Sequence, residues 1–325
     1  MPAPNTIHQI YRGLTQRLPN FIGPIYRDLK FETGEIVPTA ADLQPGVEQV
    51  MEDVINEMGE ALILADAMDI PMVEVGMSTD YYPTFMIAAG YYFTWKSTRS
   101  LQFAGTFQQI ADRKLGRVSR AIAERCHKFA AVGDVRLNQR GFLNSDVVPL
   151  RATTFDPSAA GVTADALRSF LIDAVWYMYT DRAGYTRFPS DMLISPKLYR
   201  KAIDLRMADS SESVLESVLA AINTGNSGDS SAPYSTLRIM QAPECSAAYL
   251  ESTGVQPAGT NKDRIVVYSK DSQVVHRSVE PLGQVPEQWL GAVAGKQQFA
   301  NFQVVTPTIW SMPALAMYMD VPKSA

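Results

Sequence analysis

Between Phe31 and Trp95 this 325-residue chain contains no lysine and no arginine. The same segment holds twelve acids: Glu32, Glu35, Asp42, Glu48, Glu52, Asp53, Glu57, Glu60, Asp66, Asp69, Glu74 and Asp80. It therefore carries −12, while the rest of the chain sums to +7. Residues 96–128 follow with +6, from Lys96, Arg99, Arg113, Lys114, Arg117, Arg120, Arg125 and Lys128 against Asp112 and Glu124. The first thirty residues add +3 through Arg12, Arg17, Arg27 and Lys30 against Asp28. A net charge of −5 conceals this segregation. A charge run is usually a solvated face. Here the acids are interleaved with Leu62, Ile63, Leu64, Ile70, Met72, Val73, Val75, Tyr81, Tyr82 and Phe85, which favours an ordered segment. Ordering −12 beside itself is costly unless opposite charge lies near. The flanking basic stretches, in this chain or in another copy, are the counterpart the sequence offers.

Apolar residues make up 46% of the chain and charged residues 19%, enough to bury a core of one elaborate domain or about two ordinary ones. No apolar run approaches the roughly 18 residues that span a bilayer, and the N-terminus lacks a signal-peptide layout. Neither a membrane role nor export is expected. Two cysteines exclude a disulfide scaffold and fit a reducing compartment, and three histidines leave little for a metal site.

Residues 1–30, with Pro2, Pro4, Pro19 and Pro24, read as an arm. Residues 46–92 show short apolar stretches of period two broken by Gly59, Pro71, Gly76, Pro83 and Gly90, as in hairpins of extended strands. Phe103, Phe107, Ile110, Leu115, Val118, Ile122, Cys126 and Phe129 then recur at helical spacing. They predict one helix over about residues 100–131, roughly 48 Å long, stopped by Gly133-Asp134. Thr163 and Ser195-Pro196 read as N-caps, Met192–Ile194 as a buried strand, and Ser210 or Ser211 as the start of a further helix ending at Gly225. Five strands are expected near residues 237–241, 264–268, 273–279, 302–308 and 314–319. The middle region reads as an α/β or α+β unit, with the C-terminal strands pairing outside it beside the long helix.

No catalytic constellation emerges. The Gly/Ser/Asn/Asp stretch 223–231 lacks the Lys-Ser/Thr of a phosphate loop, and Thr260-Asn261-Lys262-Asp263 misplaces its acid for a guanine-reading motif. Cys126 and His127 diverge by about 100° on a helix, so they make no nucleophile–base pair, and Cys126 is expected to be a buried thiol. His8 and His276 have no partners at metal-ligand spacing. No catalytic residue, cofactor or metal is expected.

The order of parts is an arm, an acidic extended excursion, a very long helix, an α/β unit and returning strands. It resembles the major capsid protein of tailed bacteriophages, the Hong Kong 97-like fold. The residues that carry the resemblance are Glu60-Ala-Leu-Ile-Leu, Asp69-Ile-Pro-Met-Val-Glu-Val, Ala89-Gly-Tyr-Tyr-Phe-Thr, the run Leu101 to Leu115, Phe129-Ala-Ala-Val-Gly-Asp134 and the turn Gly141-Phe-Leu-Asn144. The resemblance implies an α+β fold with an N-arm (1–40), an E-loop with flanking strands (41–95), a peripheral domain with the spine helix (96–156), an axial domain (157–270) and strands returning to the peripheral domain (271–325). It implies a non-enzymatic subunit of an icosahedral virion capsid, assembled in the host cytoplasm into hexamers and pentamers that enclose dsDNA and touch it non-specifically. Portal and decoration proteins are further implied partners. An encapsulin-type compartment shell is the alternative, and a soluble α/β enzyme a more distant one. The E-loop has no lysine, so a lysine–asparagine crosslink is not expected. Without an N-terminal extension of about a hundred residues, a separate scaffolding protein, or none, is implied. In this fold the E-loop lies across a neighbouring subunit. The expected assembly residues are therefore Glu48, Glu52, Asp53, Glu57, Glu60, Asp66, Asp69, Glu74 and Asp80, facing Arg99, Arg113, Lys114, Arg117 and Arg120 of an adjacent copy.

Overall fold

The computed structural model describes residues 28–58, 74–103, 105–157, 159, 161–208, 211–226, 236–285 and 295–323. Residues 1–27, most of the 223–231 stretch, and Glu60, Asp66 and Asp69 lie outside the described residues.

Two sheets organise the chain. Strand β4 (Phe85–Thr94) alternates strictly, with Phe85, Ile87, Ala89, Tyr91 and Phe93 more covered than their neighbours. This is the period of a strand with one buried face. It pairs antiparallel with β11 (Lys296–Val305) over ten residues. Phe85, Ile87, Ala89 and Tyr91 pack on Val118, Ile122, Cys126 and Phe129 of helix α2 (Phe107–Val132), and Phe93 meets Phe107 at its start. The second sheet has the order β5-β13-β8-β6-β7, built from Leu150–Arg151, Ala316–Pro322, Lys262–Tyr268, Asp191–Ile194 and Arg238–Gln241. All four β6 residues are buried, and with β8 they form the centre of the main core. Helices α3 (Ala164–Tyr177), α4 (Pro196–Asp204) and α5 (Val214–Asn226) pack against it through Leu167, Leu171, Leu198, Val214 and Val218.

Several local expectations hold. Thr163 accepts from the Ala166 amide, and Ser195 from the Leu198 amide with Pro196 in the first turn, so both are N-caps. Others are corrected. The helix expected over 100–131 is two helices, α1 (Trp95–Phe103) and α2. Gly105, at φ +67°, donates to Gln102 O (3.0 Å), and Thr106 donates to Leu101 O (3.1 Å), the paired bonds of a glycine-terminated helix. Phe103 and Leu115 of the expected apolar face are exposed. The cap of α5 is Ser213, whose hydroxyl accepts from Glu216 N while the Glu216 carboxylate accepts from Ser213 N (2.8 Å). The C-terminal strands divide: β11 lies beside α2, but β13 pairs with β8 of the middle unit over seven residues. Leu29, Phe31, Ile36 and Val37, expected within the arm region, are buried, the last three in the main core.

Asp134 follows the α2 stop. Its carboxylate accepts from the Arg136 amide (3.0 Å) and pairs with the Arg136 and Arg125 guanidiniums. The bonds to the Arg136 side chain and then its amide hold the carboxyl at about 2, below the ordinary 3.8. A depressed carboxyl contributes stability fully above its unfolded pKa and loses it as pH falls through the folded one. Stability should therefore fall between about pH 4 and pH 2, and Asp134→Asn should flatten that part of a melting-temperature profile. An unchanged acid limb in the variant would refute this.

Candidate assembly surface

Strands β2 (Gln49–Met58) and β3 (Glu74–Pro83) form an antiparallel hairpin that joins no third strand among the described residues. A two-stranded ribbon is marginally stable in water by itself. Its register sets Glu52 opposite Asp80, like charges on neighbouring strands, which is unfavourable. One Glu52 carboxylate oxygen is buried without a hydrogen-bond partner. Burial and then the Glu52 and Asp80 charges raise the Tyr82 hydroxyl pKa. Asp53 accepts from Thr79 Oγ1 at 2.7 Å. Glu48 is exposed just before β2. Glu57 and Glu74 are placed by register only, opposite Val75 and Met58. Among the described residues, none of Glu48, Glu52, Asp53 and Asp80 reaches a basic group at ion-pair distance.

The basic side is partly engaged within the chain. Lys114 Nζ donates to Tyr92 O (2.8 Å) and sits 4.0 Å over the Phe93 ring. Arg117 and Arg120 both meet Glu124, at 3.5 and 3.1 Å. Arg113 is exposed on the same helix. Arg99, on α1, lies 5.9 Å over the Trp95 ring. A groove of about 590 Å³ runs between β4 and α2, lined by Tyr91, Tyr92, Thr94, Lys114, Arg117 and Val118. The charge reading thus brings acids to one hairpin and bases to two helices, but does not bring them together within one chain. It also missed the exposed apolar side chains beside them: Met51, Met77 and Tyr81 on the hairpin, Trp95 and Phe103 on α1.

The motifs weighed for chemistry have structural partners. Buried Cys126, its thiol pushed up to about 12 by burial, donates to Gln303 Oε1 (3.2 Å). His127 turns the other way, its Nε2 3.0 Å from Glu244 Oε1 in the core. Asp263 accepts from Ser195 Oγ and from the Ala247 amide, tying β8 to α4 and to the short helix Ala247–Ser252. Among the described residues no helix is long and apolar enough to cross a membrane, and no group of three His, Cys, Asp or Glu residues is arranged to hold a metal.

Residues 59–320 match the sequence model of the major capsid protein family. This chain belongs to that family. It is a subunit of a capsid shell, and its virion location follows. No curated protein matches it in sequence. Solved structures agree on the fold. The capsid of Myoviridae phage XM1 is 13% identical with a TM-score of 0.70, over 95% of this chain and 97% of that one. The capsid of the native GTA particle is 13% identical at 0.61, over 99% and 100%. That of cyanophage P-SCSP1u is 11% identical at 0.55, over 97% and 95%. In one copy helix α1 buries none of its residues, and Met51, Met77 and Tyr81 of the acidic hairpin are exposed.

Proposed function

We propose that this capsid subunit forms hexameric and pentameric capsomers of an icosahedral shell around phage dsDNA, with the Hong Kong 97-like division into N-arm, E-loop, spine helix and axial domain. In this reading the hairpin of residues 49–83 belongs to the E-loop, α2 is the spine, and the five-stranded sheet with α3–α5 forms the axial unit. The acidic excursion of one copy docks on basic residues 96–128, and on the arm, of the next. The carrying observation is the unaccompanied hairpin: among the described residues, Glu48, Glu52, Asp53 and Asp80 meet no in-chain cation and its two strands meet no third. Assembly in the host cytoplasm, contact with DNA through non-specific phosphate interactions, and a scaffolding protein, portal and decoration proteins as partners belong to the same reading. The family match disfavours the encapsulin-type alternative.

Charge-directed contacts weaken as the Debye length shrinks from about 10 Å at 0.1 M salt to about 3 Å at 1 M. Purified subunit should assemble into megadalton particles at low salt, seen by negative-stain microscopy, and the assembled fraction should fall steeply towards molar salt. Equal assembly at both extremes would refute electrostatic docking. A purified chain that never leaves the small-oligomer range at any salt would refute self-assembly of the shell.

A further inference from the structure

We propose that the exposed face of the acidic hairpin docks on helix α1 of a second copy, Asp53 meeting Arg99 while Met51, Tyr81 and Met77 cover Trp95 and Phe103. The inference rests on the shell reading and narrows where the hairpin lands.

Helix α1 buries none of its nine residues. Trp95 is 68% exposed and Phe103 96%. A helix this short is not stable in water without tertiary packing. Uncovered Trp and Phe with an arginine between them are the composition of an interface core. Trp95, Arg99 and Phe103 stand at i, i+4 and i+8, so they form one stripe. Along about 12 Å it reads apolar, positive, apolar. Lys96 adds a second cation, and the helix has no acid.

The hairpin presents the matching order. Side chains alternate across a strand, so residues 51, 53, 77, 79 and 81 share one face. All five are exposed. The pairs Met51–Tyr81, Asp53–Thr79 and Ile55–Met77 follow one another at about 7 Å per two residues. Over about 13 Å that face reads apolar, negative, apolar, the complement of the α1 stripe at nearly the same repeat. The two surfaces are both exposed within one chain, so they do not cover each other there. A second copy, which a shell supplies in number, is the occupant the complementarity points to. The cations of α2 are weaker candidates: Lys114 already holds Tyr92 O, and Arg117 and Arg120 hold Glu124.

The test is a charge swap on the full chain, read as the fraction of subunit sedimenting as particles at low salt, with circular dichroism and melting of the unassembled subunit as the folding control. Asp53→Lys and Arg99→Glu should each reduce particles by about tenfold or more while the subunit melts as wild type. Both changes in one chain should restore assembly to within about threefold of wild type, which a merely misfolded variant would not do. Single reversals that assemble normally, or a swap that restores nothing, overturn the proposal. If Arg113→Glu with Arg117→Glu blocks assembly while Arg99→Glu does not, the hairpin lands on α2; this inference then fails and the shell reading stands. Wild-type subunit that forms no particles at any salt removes the shell reading itself.

Discussion

Replacing Asp320 with alanine is expected to remove about 3–5 kcal/mol of folding stability, measured by denaturant unfolding of the unassembled subunit. Arg264 on β8 and Asp320 on β13 face each other in register. They form a two-pronged pair, Nε to Oδ1 at 2.7 Å and Nη2 to Oδ2 at 2.8 Å, with side chains only 9% and 14% exposed. The guanidinium also donates to Leu143 O and lies 5.0 Å over the Tyr318 ring, and Tyr318 donates to Phe142 O. One cluster therefore clamps the turn after α2 onto the five-stranded sheet. Deleting the carboxylate leaves a desolvated guanidinium without its counter-charge, which is the costly way to break a buried pair. Replacing both partners, Arg264→Met with Asp320→Leu, removes the desolvation demand with the attraction, so it should cost much less than Asp320→Ala alone. If the single change costs under about 1 kcal/mol, or the double costs as much as the single, the clamp is not what holds the turn.

Local codes in this sequence were readable where neighbours alone decide the structure. The alternation of β4, the continuous burial of β6, the Thr163 and Ser195 caps and the stop at Gly133 each rest on a few adjacent residues. The break at Gly105 was not readable, because the apolar spacing runs on through Phe107 and Ile110; a glycine inside a helical pattern becomes a terminator only when it turns left-handed. The partner of β13 was not readable either. Its seven pairs with β8 span about fifty residues of sequence, and no local pattern names a distant strand. The charge segregation found both halves of the candidate surface but counted charges without seeing their partners. Lys114, Arg117 and Arg120 spend part of their capacity on Tyr92 O and Glu124. The Trp95-Arg99-Phe103 stripe was present in the sequence, but starting the long helix at about residue 100 left Trp95 and Arg99 outside it and hid that the three share a face.

Gly141→Ala should be among the most damaging small substitutions near the end of α2, costing about 3 kcal/mol or more, at or beyond the upper end of overpacking changes. A Cβ at Gly141 would lie 2.5 Å from the amide nitrogens of Val132 and Gly133 and 2.7 Å from the Ala131 carbonyl carbon. These are backbone atoms at the end of α2, and they cannot swing aside as a flexible side chain would. The closeness has a purpose. Phe142 N donates to Ala130 O (2.9 Å) and Leu143 N to Ala131 O (2.8 Å), so the returning chain satisfies carbonyls that a helix end leaves open. Asn144 Oδ1 fixes the turn by accepting from Gly141 N at 2.7 Å. Gly133 is the other half of the crossing: at φ +70° its own Cβ would fall 2.1 Å from Gln139 O. Gly116 is the control. It lies mid-helix in α2, where an added methyl group would meet nothing within 4 Å, so Gly116→Ala should stabilise by about 0.5–1 kcal/mol. Opposite signs for the two substitutions in thermal or denaturant unfolding would show that backbone approach, not glycine content, governs α2 and its crossing. Because Phe142 and Leu143 sit in the main core while α2 packs on β4, loosening this crossing should uncouple the two sheets and lower particle yield even where the subunit still folds.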